Sequence, residues 1–367
     1  MQKNILVRSI AALSGIVMLA SVAACGDNTA TTTDNSSSSD STSKSTPISG
    51  NFSGAGASSQ QAAVEAWIAG FQGTNPEAKI AYNPSGSGAG VQTFLTGATA
   101  WAGSDKALAD DEVEQSKSVC TEGTAFDVPV YISPIAVVFN LKGVSDAGKH
   151  INMDAATIAK IFDGKITKWN DPAIADQNKD LKLPDTAITV VHRSDKSGTT
   201  QNFVSYFKDV TPDNWTYDLS ENWPNEVGQG AKGTAGVIST VKQADGTIGS
   251  ADFSQVGDKY NEISAEAGSK VIGDSKQDDT VKGDNRIVIK INHATEAEGA
   301  YPIVLVSYDI VCPAYKDTKQ AEFAKAWLTY VTSDEGQKAA QDAAGTAPLP
   351  SSLKSEITKS IEAIKTK

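Results

Sequence analysis

Cysteine, histidine and methionine each occur only three times in 367 residues, and that scarcity narrows the possible chemistry at the outset. His150, His192 and His293 are scattered, and no Cys or His pair has the close spacing of metal ligands. Positive charge is also short: 32 Lys and Arg against 44 Asp and Glu leave a formal net charge of −12. Nucleic acid is therefore not an expected partner, because its phosphate backbone attracts basic patches. An acidic chain also repels free anions at long range, so any anion it binds must be held by local, aimed dipoles. A nucleotide-binding loop is missing, since no segment supplies glycine, four residues and then Gly-Lys-Ser/Thr. A nucleophile elbow is missing too. Gly56-Ala57-Ser58-Ser59-Gln60 has Gln60 where the motif needs glycine, and Ser85 stands two places before Ser87. An enzyme is the weaker reading, and no cofactor is expected.

Long apolar runs are also scarce. Ile10 to Val22 is too short for a comfortable membrane-spanning helix, which takes about 20 residues. It follows Lys3 and Arg8 and precedes Ala23, Ala24 and Cys25, the order of an export signal. Val22-Ala23-Ala24-Cys25 resembles the lipobox of bacterial lipoproteins. That resemblance implies removal of residues 1–24 and lipidation of Cys25, anchoring the chain on the extracytoplasmic side of the cell membrane. Residues 26 to about 47 are almost entirely small and polar, so they cannot bury enough surface to offset their ordering entropy. Segment 25–47 thus reads as a lipid-anchored flexible linker. Cys120 and Cys312 remain, either as two buried thiols or as a disulfide; the even count in an oxidising compartment favours the disulfide.

The body of the chain repeats one pattern three times: a strand, a Gly/Ser/Thr turn, then a helix with an apolar stripe. Ile48 to Phe52 leads through Gly54-Ala55-Gly56-Ala57-Ser58-Ser59 to a helix bearing Val64, Trp67, Ile68 and Phe71, with Ser58 as its expected N-cap. Lys79 to Tyr82 leads through Ser85-Gly86-Ser87-Gly88-Ala89-Gly90 to Val91, Phe94 and Leu95. Ala187 to Val191 leads through Arg193-Ser194-Asp195-Lys196-Ser197-Gly198-Thr199 to Phe203, Val204 and Phe207. A helix N-terminus exposes unpaired N–H groups and about half a positive charge. Glycine admits close backbone approach, and hydroxyls add movable donors. Each turn alone reads as an ordinary cap. Three together, one holding an arginine, point to a shared oxyanion cradle.

These turns, with Ser104-Asp105, resemble the ligand motifs of the periplasmic phosphate-binding proteins of bacterial phosphate transporters. Ile161 to Asp171 and Gly230-Ala231-Lys232-Gly233 extend the likeness, which runs from about residue 48 to the end. The resemblance implies phosphate held by Ser58, the Ser59 backbone N–H, Ser87 (or Ser85), Arg193, Ser197, Gly198 and Thr199, with Asp195 orienting Arg193. The family commonly has Phe where Ser59 stands, a change that keeps the backbone donor. Asp105 would face the ligand; otherwise it reads as a cap or surface carboxylate before the helix near Asp110. An ionised Asp only accepts hydrogen bonds, so it suits phosphate, which still carries a proton, and rejects sulfate, which does not.

Hydrophobic residues at 40% and charged residues at 21% suit a soluble globular protein, and the length suits two lobes or a domain plus tails. Alternating strand and helix signals indicate α/β architecture. The resemblance implies a two-lobed periplasmic binding protein, type II-like, with hinge strands and a ligand cleft between the lobes. Lobe one is expected at 48–138 and 302–367, and lobe two at 139–301, with crossings at Ile135 to Asn140 and Tyr301 to Tyr308. The implied function is capture of inorganic phosphate for an ABC-type importer, with its permease subunits as partners. The alternatives are a binder of another oxyanion such as sulfate or molybdate, a phosphate-ester hydrolase, and a lipoprotein that has lost its ligand.

Overall fold

The structure is a computed structural model describing residues 47–256 and 263–367; the signal, Cys25 and nearly all of the linker lie outside them. In chain order the first elements are β1 (Gly50–Gly56), α1 (Gln61–Thr74), β2 (Ala78–Asn83), α2 (Ser87–Leu95), β3 (Trp101–Ser104), α3 (Asp110–Gln115) and β4 (Phe126–Asn140). Next come α4 (Ala155–Phe162), α5 (Pro172–Ala175), β5 (Thr189–Arg193), α6 (Gly198–Val210), β6 (Gln229–Ala231), α7 (Gly233–Gln243) and β7 (Thr247–Asp252). Then follow α8 (Ala265–Gly273), β8 (Lys276–Gln277), β9 (Ile289–Lys290), β10 (Val304–Val311), α9 (Thr318–Val331), α10 (Asp334–Ala344) and α11 (Lys354–Glu362).

The main sheet runs β2-β1-β3-β10-β4-β7-β5-β6. Strands β2, β1 and β3 pair in parallel, β10 runs against β3 and β4, and β7, β5 and β6 form a second parallel set. Helices join the parallel strands, as such connections require. The 15-residue β4 belongs to both halves: it pairs with β10 from Phe126 to Pro134 and with β7 from Ile135 to Asn140. The partner changes between Pro134 and Ile135, where the segment Ile135 to Asn140 begins. On the return, Ile135 N–H donates to the Ile303 carbonyl at 2.7 Å, and Tyr301 donates its hydroxyl to the Ile135 carbonyl at 2.8 Å.

The apolar stripe of α1 buries Val64, Trp67 and Phe71. Trp67 and Phe71 meet Trp327 of α9 edge-on, at centroid distances of 6.2 and 5.7 Å. This aromatic nucleus draws the C-terminal helices onto the first half. In the second half, Phe162, Phe203 and Phe207 pack on α4 and α6, with Trp215 against Phe207. Trp67, Trp101, Trp169, Trp215 and Trp327 are thus core groups.

One part of the expected lobe two lies elsewhere. Val271 and Ile272 of α8 pack with Ile132, Val304 and Val306, the part of the sheet where β4 and β10 pair. Ile287 N–H donates to the Asp127 carbonyl at 3.0 Å, and Ile289 N–H to the Tyr308 hydroxyl at 3.1 Å. Residues from about 264 to 291 therefore belong with lobe one, because their apolar face finds its complement on β4 and β10. Cys120 and Cys312, 192 positions apart, are joined by a disulfide with a Cα–Cα distance of 5.3 Å. Among the described residues no helix is long and apolar enough to cross a membrane.

Candidate oxyanion site

The first turn leaves β1 at Gly56, whose φ of +154° lies in the region that favours glycine. A Cβ there would stand 1.9 Å from the Gly103 carbonyl oxygen, so the turn can press against β3 only with glycine. Ser58–Gln60 then forms a 3₁₀ turn running into α1, with Ala57 preceding it. Ser58 is therefore not the N-cap of its own helix, contrary to the sequence expectation, since it already lies inside the helical turn. Its hydroxyl serves α7 instead: the Thr234 N–H donates to Ser58 Oγ at 3.0 Å, and the two hydroxyls lie 3.1 Å apart.

The second turn is held to the first by the Gly86 N–H, which donates to the Gly56 carbonyl at 2.8 Å. Ser87, 1% exposed, begins α2 and accepts the Asp105 N–H at 3.2 Å. The Ser85 hydroxyl is buried without a hydrogen-bond partner among the described residues, so both serines remain candidate donors.

In the third turn Ser197 caps α6, its Oγ accepting the Thr200 N–H at 3.2 Å. Gly198 lies so close to the second segment that a Cβ would come within 2.8 Å of the Asp105 and Lys106 backbone. Arg193, 5% exposed at the end of β5, is gripped by Asp195, with Nε to Oδ1 at 2.7 Å and Nη2 to Oδ2 at 2.5 Å. The Gly233 N–H also donates to Asp195 Oδ1, at 3.0 Å. Burial pushes the Asp195 carboxyl up, but the Arg193 guanidinium and the backbone donors outweigh it and hold it below the usual carboxylate range.

Asp105 is the centre of the arrangement and only 1% exposed, so it is neither a surface group nor a simple cap. Ser59 Oγ donates to Oδ2 at 2.5 Å, Thr199 Oγ1 to the same oxygen at 2.8 Å, and Ser307 Oγ to Oδ1 at 2.7 Å. Burial raises its carboxyl pKa, opposed by these three donors and by the Arg193 charge. The Thr199 bond crosses between the lobes, as does Asn202 Nδ2 donating to the Asp105 carbonyl at 2.6 Å. Gln255 Nε2 and Ser254 Oγ reach the Ser58 and Ser59 carbonyls at 2.7 and 3.0 Å.

Ser58, Ser59, Ser87, Asp105, Arg193, Ser197, Gly198 and Thr199 thus fall in one cluster joining the two halves. Ser59 takes part through its side chain, which donates to Asp105. Sequence reasoning missed Gln60, Ser307, Asn202 and Thr234. Thr234 had a usable signal, since Gly230 to Gly233 leads into α7 through the same strand–glycine–hydroxyl–helix pattern. The ends of α1, α2, α6 and α7 converge here, and their N–H groups and dipoles supply positive potential that the side chains alone do not. Among the described residues no group of three or more His, Cys, Asp or Glu could hold a metal ion.

Two α/β lobes linked by hinge strands, with opposed helix N-termini, an arginine and a buried carboxylate between them, define a solute-binding protein of the periplasmic type. Residues 41–335 match the model of the PBP superfamily domain. The chain is 34% identical to phosphate-binding protein PstS 3 of Mycobacterium tuberculosis over 322 residues, covering 84% of this chain and 85% of that protein. It is also 34% identical to phosphate-binding protein PstS of Xylella fastidiosa, covering 83% of each. The chain belongs to this phosphate-binding protein family of the PBP superfamily. The solved phosphate-binding protein from Stenotrophomonas maltophilia shares the fold at a TM-score of 0.63 and 17% identity, over 84% of this chain and 93% of that one.

Proposed function

We propose that the chain captures inorganic phosphate outside the cytoplasm and delivers it to the permease subunits of an ABC-type importer, without catalysis. The observation that carries this reading is Asp105, a buried carboxylate held by three protein hydroxyls, with accepting capacity to spare, and set among helix N-termini beside Arg193. Such an acceptor favours an oxyanion that retains a proton and penalises one that has none. Ser58, Ser59, Ser87 or Ser85, Ser197, Gly198 and Thr199 supply donors from both lobes, so the donor set is complete only in the closed form and binding favours closure. The 34% identity to proteins named for phosphate binding supports the same ligand.

Calorimetry on the purified protein is expected to show phosphate binding at micromolar affinity or better, about −8 kcal/mol, with sulfate silent. Asp105→Asn is expected to narrow the phosphate-to-sulfate affinity ratio by about tenfold. Sulfate binding by the wild type in place of phosphate would reassign the ligand. Intact discrimination in Asp105→Asn would remove that residue from the site.

The chain is further proposed to be a lipoprotein held at the extracytoplasmic face of the membrane through Cys25. The apolar run ending at Cys25 and the polar tether after it support this. Cys25→Ser is expected to move the protein from the membrane pellet to the soluble fraction, and a variant that still pellets with membranes would count against the anchor.

A further inference from the structure

Asp105 separates a protonated from a fully deprotonated oxyanion only while its own carboxyl accepts. A line of hydrogen bonds running away from the cleft dictates that state. It begins at the Tyr308 backbone carbonyl, which can only accept. Gln60 Nε2 lies 3.0 Å from that oxygen and 2.9 Å from Ser307 Oγ. The carbonyl demands a donor, so the amide cannot turn its oxygen this way. On its other side Gln60 Oε1 lies 3.4 Å from the Tyr82 hydroxyl, whose proton goes to the Ala57 carbonyl at 2.9 Å. The second amide hydrogen therefore points at Ser307 Oγ, and the single Ser307 proton goes to Asp105 Oδ1 at 2.7 Å. Ser59 and Thr199 also donate to Asp105, but a hydroxyl can rotate to accept; only Ser307 is oriented by an amide fixed on backbone.

The fold is shaped around this line. Gln60 and Ser307 are each 0% exposed, so water does not stand in for either. A Cβ on Gly103 would lie 2.0 Å from Gln60 Oε1, so bare backbone makes room for the amide. The β10–β4 register slips at this point: Ser307 faces Tyr131 while Tyr308 faces Pro129. Such a bulge re-aims side chains, and the skipped Val130 carbonyl is satisfied by Gln337 Nε2 at 2.7 Å.

We infer that Gln60 and Ser307 are positioning residues that hold Asp105 as an ionised acceptor and thereby set the phosphate-over-sulfate selectivity of the site. This rests on the reading of the cleft as a phosphate site. Without Gln60 the Ser307 hydroxyl is free to turn and accept from a protonated Asp105, which has then lost the negative charge that repels sulfate. The titratable groups that face Asp105 are Arg193 from β5, Asp252 from β7, and the neutral hydroxyls of Tyr82 from β2 and Tyr131 from β4, which the Asp105 charge helps to keep protonated. Asp309 of β10 adjoins Gln60. Burial pushes Asp252 and Asp309 up to about 7, with the Asp105 charge adding to the effect on Asp252.

The test is calorimetry of the full chain with phosphate and with sulfate between about pH 6 and 8, on wild type, Gln60→Leu, Ser307→Ala and Ser307→Thr. Gln60→Leu and Ser307→Ala are expected to narrow the affinity ratio about tenfold, mainly through sulfate binding that strengthens as pH falls. Ser307→Thr keeps the hydroxyl and is expected to keep the wild-type ratio and pH profile. A purely structural role would weaken both anions together and leave the ratio alone. An unchanged ratio in Ser307→Ala, or a Ser307→Thr that behaves like alanine, overturns the inference while leaving the phosphate reading intact. If Gln60→Leu does not fold, the Ser307 pair decides alone. Wild type that prefers sulfate overturns both.

Discussion

Arg193→Ala is expected to lower phosphate affinity by roughly a hundred- to a thousandfold, about 3–4 kcal/mol, because two effects act in the same direction. The guanidinium carries five N–H donors in a fixed fork. Asp195 takes one at Nε and one at Nη2, which leaves the remaining edge for the ligand. Loss of Arg193 removes those donors and the charge most directly matched to an oxyanion. It also strands Asp195, whose side chain is only 13% exposed and would remain held by the Gly233 N–H. A bare carboxylate then faces the incoming anion. The double variant Arg193→Ala/Asp195→Ala is therefore expected to bind phosphate better than Arg193→Ala alone. Arg193→Lys keeps the charge but loses the fork, and about tenfold is expected to be lost. Calorimetric titration of the three variants checks the series. A single alanine variant with wild-type affinity would show that Arg193 is only a partner for Asp195.

The parts of this site that were legible in sequence are those built from contiguous residues. Each turn carries its own glycine, hydroxyl and following apolar stripe, so Ser197 could be placed at a helix start before its Thr200 contact was known. The same locality misled in the case of Ser58. Its sequence suits an N-cap, but the 3₁₀ turn carries its hydroxyl away from α1 and toward Thr234, 176 positions on. Gln60 and Ser307 could not be read at all. They lie 247 positions apart, and neither has meaning until β10 is set beside β3 and β4. The lobe boundaries show the same limit. Both crossing strands were visible as apolar runs, while the return of residues near 264–291 to lobe one depends on which surface their apolar face meets.

Arg286→Met is expected to destabilise the fold by about 3–5 kcal/mol, near 10 °C in melting temperature, by breaking an ion pair removed from the ligand motifs. Arg286 and Asp127 have side chains 1% and 0% exposed, and Nε meets Oδ2 at 2.6 Å. Together they hold both backbone polar groups of one residue: Asp127 Oδ1 accepts the Leu108 N–H at 2.7 Å, and Arg286 Nη2 donates to the Leu108 carbonyl at 2.7 Å. Arg286 Nη1 reaches the Lys282 carbonyl at 2.7 Å within the returning segment, and the pair with Asp127 fastens that segment to β4. Burial already raises the Asp127 carboxyl pKa, and Arg286 is the chief influence opposing that rise. Without Arg286 the folded-state value climbs further above the unfolded one, so the folded form binds the proton more tightly. The variant's stability should then fall as pH rises through that range, and its deficit should be larger at pH 8 than at pH 5. Asp127→Asn/Arg286→Met removes the stranded charge while an amide oxygen can still accept from Leu108. It is expected to recover at least half of the loss at pH 8. Urea melts of the single and double variants at both pH values check this. A deficit that does not change with pH would mean that Arg286 acts through its bonds to Leu108 and Lys282, with its charge on Asp127 contributing little.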